Sequence, residues 1–275
     1  MRNIRLDIAY DGTNYYGWQY QPGKLTIQGI MEERLSRMLK EPIRLQCAGR
    51  TDTGVHAWGQ VANFHTSQNI APDALQRGLN SMLPKDILVT KTSEAEEGFH
   101  ARFQVKDKTY IYRIIHAKFI SPFERNYAWH IFFPLNLEAM RQAAQYILGT
   151  HNFTSFQGSG CTNQQLEKTV FALELAEDYL WCQEMSRVTL LTPDTTKMCG
   201  MPHRLIRITI RADGFLRHMV RNIVGTLVEV GRGRLVPEDI SRILAACDRT
   251  QAGPTAPACG LYLAEVNYGV GALAP

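Results

Sequence analysis

Apolar and polar side chains alternate through Ile4, Leu6, Ile8 and Tyr10, which predicts a half-buried strand at the start of the chain, and Asp11-Gly12-Thr13-Asn14 predicts the turn that ends it. The period then changes. With Thr26 as N-cap, Ile27, Ile30, Met31, Leu35, Met38 and Leu39 fall on one face of a helix that Pro42 stops. Strands fit 43–47 and 60–65, a helix fits 72–83 before Pro84, and a strand fits 86–92, so the order is β-α-β-β-α-β. The second half repeats this order more loosely. It has a strand at 108–116, a helix at 137–148 before Gly149, strands at 168–177 and 205–212, a helix at 215–230 before Gly231, an extra helix at 237–247 and a last strand at 261–268. Each half reads as a ferredoxin-like split βαβ unit. The expected fold is therefore α+β, with halves 1–104 and 105–275 joined edge to edge into an extended, mostly antiparallel sheet around a central cleft wide enough for RNA. The stretch 182–201, with Pro193-Asp194-Thr195-Thr196, breaks the pattern and is expected as a long loop or hairpin extension. Residues 249–254 end in Gly-Pro and read as a connector before the last strand.

Composition narrows the class without naming a function. A chain of 275 residues with 45% hydrophobic and 20% charged residues can bury its own core and needs no staple. The six cysteines (Cys47, Cys161, Cys182, Cys199, Cys247 and Cys259) form no C-x-x-C pair and read as reduced thiols of a cytoplasmic protein. Cys182, Cys199 and His203 would make only a partial zinc site, lacking a fourth ligand, and no metal is expected. The chain enters a strand at once, which leaves no room for a signal peptide, and no uncharged apolar run is long enough to cross a bilayer. The net charge of +4 is unevenly spread. Between His203 and Arg234 seven arginines (204, 207, 211, 217, 221, 232 and 234) stand against only Asp213 and Glu229, the footprint expected of a phosphate-contacting face.

The stretch richest in chemistry is Gly49-Arg50-Thr51-Asp52-Thr53-Gly54-Val55-His56-Ala57. It is too polar and aperiodic for a core element and holds one carboxylate between glycines. An arginine two residues away favours the ionised form of Asp52, which suits a nucleophile or base; the plainer alternative is an Arg-Asp pair bracing a turn. No second nearby carboxylate, G-x-S-x-G elbow, P-loop or H-E-x-x-H accompanies it. Asp52-Thr53-Gly54 spells the aspartic-protease triplet. Those enzymes need two carboxylates sharing a proton, and here there is one triplet, beside a cation, in a chain without an all-β pattern. An ionised aspartate among arginines and aromatics suits attack on a sugar or pyrimidine carbon, with the base held by stacking and phosphates held by arginine. His56 is given a structural role, since this chemistry needs no imidazole.

Seven motifs in one order carry a closer likeness. They are Tyr10-Asp11-Gly12-Thr13 with Tyr16-Gly17-Trp18-Gln19, the 49–57 stretch, Phe99-His100-Ala101-Arg102-Phe103, Tyr110-Ile111-Tyr112-Arg113, Phe153-Thr154-Ser155-Phe156, 215–225, and 256–263. Over nearly its whole length the chain resembles the tRNA pseudouridine synthase A (TruA) family. The resemblance implies isomerisation of uridine to pseudouridine at positions 38, 39 and 40 of the tRNA anticodon stem-loop, with no metal or cofactor, by a homodimer that lays one tRNA across both subunits. It implies that Asp52 is the nucleophile, that Arg50 assists flipping of the base, and that Tyr110 stacks on the flipped base and relays the C5 proton. By the same likeness Arg221 pairs with Asp52, Leu263 lines the uracil pocket, and Phe99, His100, Ala101, Arg102 and Phe103 touch tRNA, with Arg102 on phosphate. Arg217 and His218, taken as one turn before Arg221 on the same helix, are placed to hold phosphate. Thr53 stands where the family often has a smaller residue, and 157–165 and 182–201 match less closely. The rival from another class is a non-catalytic tRNA-binding protein, which gains nothing from an anion facing a phosphate backbone.

Overall fold

The alternating start of the chain becomes β1 (Arg2–Tyr10), with Ile4, Leu6 and Ile8 fully buried. In the computed structural model, which describes residues 1–158, 165–180 and 203–269, this strand begins a run of ten strands and five α-helices. The expected 182–201 extension, Cys161, Cys182 and Cys199 lie outside the described residues. Helix α1 (Ile27–Leu39) starts as its cap dictates, with Thr26 Oγ1 accepting from the Gly29 N–H at 3.3 Å. The elements that follow are β2 (Gln46–Cys47), β3 (His56–Thr66), α2 (Pro72–Met82), β4 (Ile87–Ala95), β5 (Asp107–His116), β6 (Trp129–Ile131) and α3 (Leu137–Gln145). Then come β7 (Gly149–Asn152), β8 (Glu167–Leu180), β9 (His203–Ala212), α4 (Met219–Gly231), α5 (Asp239–Ala246) and β10 (Leu261–Asn267). The expected strand at 43–47 shrinks to two residues. Strands β6 and β7 are additional to the expected set, because three or four residues carry too few positions for an alternation to register.

All ten strands belong to one mixed sheet in the order β4-β1-β3-β10-β5-β9-β8-β7, with β2 also on β3 and β6 also on β5. Among the described residues only the β3–β10 and β5–β6 pairs are parallel. The last strand of the chain therefore lies between the third and the fifth, where Leu263 pairs with Ala57 on one side and Tyr110 on the other. It meets β3 only through Tyr262 and Leu263, opposite His56 and Ala57, while β2 pairs with the later positions 62 and 63 of β3. One continuous apolar core runs beneath both halves of the sheet. Helix α4 is buried along nearly all its length and packs against α3, so the charged residues at its start are held by a rigid element. Among the described residues no helix is long and apolar enough to cross a membrane, and no group of three His, Cys, Asp or Glu side chains is arranged to hold a metal.

Candidate active site

Asp52 sits in the loop between β2 and β3, and that loop is fixed by its backbone. The Val55 N–H donates to the Asp52 carbonyl at 3.1 Å, and Gly54 between them has φ +77°, the turn position that demands a left-handed residue. Trp18 N–H donates to the Thr51 carbonyl (3.1 Å) and Gly54 N–H to the Tyr15 carbonyl (3.3 Å). Buried Tyr10 bonds through its hydroxyl to Thr51 Oγ1 at 2.7 Å. The Gly17 backbone approaches so closely that a Cβ there would lie 2.5 Å from the Thr51 carbonyl oxygen. The 10–19 motif is thus the cradle of the Asp52 loop.

His56, at the loop's far end, is buried and ties three segments together. The Gly12 N–H donates to its Nδ1 (3.1 Å), so the neutral ring carries its proton on Nε2, facing the carbonyls of Asn126 (3.0 Å) and Cys259 (3.2 Å). Burial pushes its pKa below the ordinary 6.5, against the pull of Asp11. The folded state binds a proton less readily than the unfolded chain, so this stability is present above pH 6.5 and lost as pH falls through the depressed value. We expect wild-type Tm to drop from about pH 7.5 to about pH 5.5 and His56→Gln to show a shallower drop. Thermal melts at both pH values check this, and equal slopes would remove His56 from the acid limb.

The floor beside the loop comes from β5 and β10. Tyr110 and Leu263 stand directly opposite in that ladder, so two residues far apart in the chain share one face. Phe215, just before α4, meets the Tyr110 ring edge-on at 4.9 Å and 82°. Burial raises the Tyr110 phenol far above its usual value, with the Tyr10 and Asp52 charges adding to it, so the hydroxyl keeps its proton.

Helix α4 supplies the charge. Arg221 Nη1 lies 3.7 Å from Asp52 Oδ2, and His218 Nε2 lies 3.4 Å from the same oxygen. Arg221 is itself held, its Nε donating to the Ala256 carbonyl at 2.7 Å while Ala256 N–H returns a bond to the Arg221 carbonyl at 3.1 Å. Neighbouring contacts extend this clamp. Asn222 Oδ1 accepts from Arg249 (3.1 Å) and Thr255 (2.6 Å), and Gly253 N–H donates to Thr226 Oγ1 (2.9 Å). Residues 249–254, expected as a mere connector, and the 255–256 pair that follows bind the arginine helix to the start of β10.

Several expected placements change. His218 does not lie on the helix: it is the N-cap of α4, with φ +61°, and it faces Asp52, a position the order of residues gave no sign of. Burial first, then Arg221, Arg217 and Arg249, lower its pKa against the pull of Asp52, so Arg221 is the fixed positive charge at the carboxylate. Arg50 is exposed, and among the described residues the ion-pair partners of Asp52 are Arg221 and His218; the neighbouring arginine does not brace the turn. Phe99 and Ala101 are buried in the core, which leaves exposed Arg102 and Phe103 and half-buried His100 as the outward part of that motif. The seven arginines do not make one face. Alternation turns Arg207 and Arg211 to the side of the sheet away from Tyr110, where they pair with Asp178 (3.2 Å) and Asp107 (3.8 Å). Arg204 is paired with Glu177, while Arg232 and Arg234 share Glu229.

A family model described as tRNA pseudouridine synthase matches residues 8–104 and 143–269. The tRNA pseudouridine synthase A of Thermoanaerobacter sp. (strain X514) is 43% identical over 270 residues, which are 98% of this chain and 100% of the relative. The protein of that name from Geobacter sulfurreducens is 42% identical over 268 residues, with the same coverage. That from Brevibacillus brevis is 42% identical over 270 residues, again 98% of this chain and 100% of the relative.

Proposed function

The chain belongs to the tRNA pseudouridine synthase family and is an isomerase that converts uridine in tRNA to pseudouridine; from that premise we propose that Asp52 is its nucleophile, acting on a uridine flipped out of the anticodon stem-loop at positions 38, 39 and 40. The observation that carries this reading is the half-exposed Asp52 carboxylate beside the Tyr110–Leu263 floor, with Arg221 3.7 Å away. The cation orients the carboxylate toward the floor, as a nucleophile requires. Asp52 forms a bond to a carbon of the pyrimidine or the ribose, the C1′–N1 bond breaks, the uracil turns to bond C1′ through C5, and the bond to Asp52 is then cleaved to restore the free carboxylate. C5 loses a proton and N1 gains one, so the reaction is an isomerisation with no other reactant.

The remaining side chains take roles that follow from position. Tyr110 offers its ring to the extruded base, and its protonated hydroxyl can pass on the C5 proton. Leu263 lines the same floor, and Arg50 is exposed on the rim where a departing base leaves a gap in the stack. Extrusion costs a few kcal/mol, which stacking and gap filling must offset. Arg102, Phe103, His100 and Arg217 serve the flanking RNA. Halves 1–104 and 105–275 as split βαβ units fit the strand runs β4-β1-β3-β2 and β10-β5-β9-β8, which repeat one order. A cytoplasmic homodimer with one tRNA across both subunits completes the proposal.

The test is tritium release from C5-labelled uridine in an unmodified tRNA transcript, followed by mapping of the modified positions. Release confined to the anticodon arm is the expected result; tight binding without release from any tRNA would overturn the catalytic reading. Arg221→Ala should lower the rate about 10²–10³-fold, the scale for loss of one preorganised charge contact, with Kd changed far less. A rate equal to wild type would remove its role.

A further inference from the structure

Two lysines border the Asp52 site without a counter-ion among the described residues. Lys108 precedes Tyr110 by two residues on β5 and so points to the same side of the sheet. Its ladder partner Ala212 pairs onward with Val170, which puts Lys168, two residues before Val170 on β8, on that side as well. The two stems reach toward the site from different directions. Lys108 Nζ lies 3.1 Å from where a Cβ on Gly49 would stand, beside the backbone that leads to Asp52. The Lys168 stem passes 3.3 Å from the Cβ position of Gly214, next to the Phe215 that abuts Tyr110. Glycine at both positions leaves room for the amines.

Lys168 is only 9% exposed, yet among the described residues neither lysine has an ion-pair or side-chain hydrogen-bond partner. The charged or titratable groups acting on Lys108 are Cys47, Arg102 and Lys168. Burial pushes the Cys47 thiol up to about 11, so it remains neutral and supplies no countercharge. Burial also pulls the Lys108 amine below its ordinary value, with Arg102 and Lys168 adding repulsion. Cations held close together in a partly dry place cost free energy unless an anion joins them. Among the described residues no carboxylate pairs with either amine, and RNA carries an anion at every nucleotide.

We propose that Lys108 and Lys168, with Arg102 at the rim, form the subsite for one backbone phosphodiester of the RNA, the one adjoining the uridine that Asp52 attacks. This rests on the Asp52 reading. The subsite fixes the backbone beside the pocket, so the flipped nucleotide is held at its phosphate as well as its base. It also moves the phosphate footprint from the seven-arginine stretch to residues on β5, β8 and the 99–103 turn.

The test combines charge removal on both partners. The proteins are wild type, Lys108→Gln, Lys168→Gln, the double variant and Lys108→Arg; the RNAs are the tRNA transcript and the same RNA with a neutral methylphosphonate beside the target uridine. For wild type the methylphosphonate is expected to weaken binding about tenfold, and for the double variant to change nothing further. The double variant should lower the slope of log K against log salt by about one, and Lys108→Arg, which keeps both charges, should leave it close to wild type. Melting temperatures of the glutamine variants should equal or exceed wild type, since an uncompensated cation is removed. An unchanged salt slope with the full methylphosphonate penalty in the double variant would overturn the subsite while leaving Asp52 catalysis intact. Absence of tritium release by wild type would instead remove the reading on which the subsite rests.

Discussion

Asp52→Asn is expected to abolish tritium release, lowering the rate by at least about 10⁴-fold, the scale on which loss of a nucleophile acts. The substitution keeps the shape and removes only the charge, and the turn beneath it is held by backbone bonds to Tyr15 and Trp18 that do not involve the carboxylate. The fold should therefore be unchanged, and Tm should stay close to wild type. Binding should hold or tighten, because the carboxylate that now lies against Arg221 and His218 no longer repels phosphate or neutralises them. Tritium release and filter binding, run side by side, separate the two effects. A variant working within tenfold of wild type would end the assignment of Asp52 as nucleophile.

Gly225→Ala should be the most damaging substitution outside the reacting groups. In an exposed helix interior alanine is favoured over glycine by about 1 kcal/mol. Here the sign reverses. A Cβ at this point of α4 would lie 1.7 Å from the Pro254 carbonyl oxygen and 2.9 Å from its carbon, both backbone atoms that no rotamer change can move. Residues 253–256 would have to retreat from the helix, breaking the Gly253–Thr226 and Ala256–Arg221 bonds. The expected loss is about 3 kcal/mol of stability, at the upper end for overpacking. The same retreat would loosen Arg221 and the start of β10, which carries Leu263. A misplacement of about 1 Å in such a site costs on the order of 10²-fold in rate. Denaturant melts and tritium release check both effects, and a variant with wild-type Tm and rate would show that this close approach is unimportant.

The Asp52 loop was legible because its chemistry is local. Gly54 is needed at a positive-φ turn position, Thr26 caps α1 as a cap residue should, and alternation reveals β1 before any partner is known. The 99–103 motif was legible as a unit but not by face: Phe99 and Ala101 go inward while Arg102 and Phe103 go outward, and a string of letters does not say which way a turn exposes its residues. Arginine density between 203 and 234 misled for a related reason, since β9 alternates and sends Arg207 and Arg211 to the far side of the sheet. His218 escaped notice as a partner of Asp52 because its position depends on one left-handed residue at the start of α4.

By itself, then, the sequence determined most of the elements, the Asp52 turn and, through motifs in order, the family. These follow from short-range causes: side-chain period, capping, and the steric limits on glycine and proline. The tertiary structure alone decided that the last strand lies between β3 and β5, that Tyr110 and Leu263 meet, that residues 249–256 clamp Arg221, and that Lys108 and Lys168 come to the side of the sheet that carries Tyr110. Each of these depends on ladder register or on backbones approaching from distant parts of the chain. One residue of slip in a strand would turn every such side chain to the other face, and no local pattern in the chain specifies which distant strand becomes the neighbour.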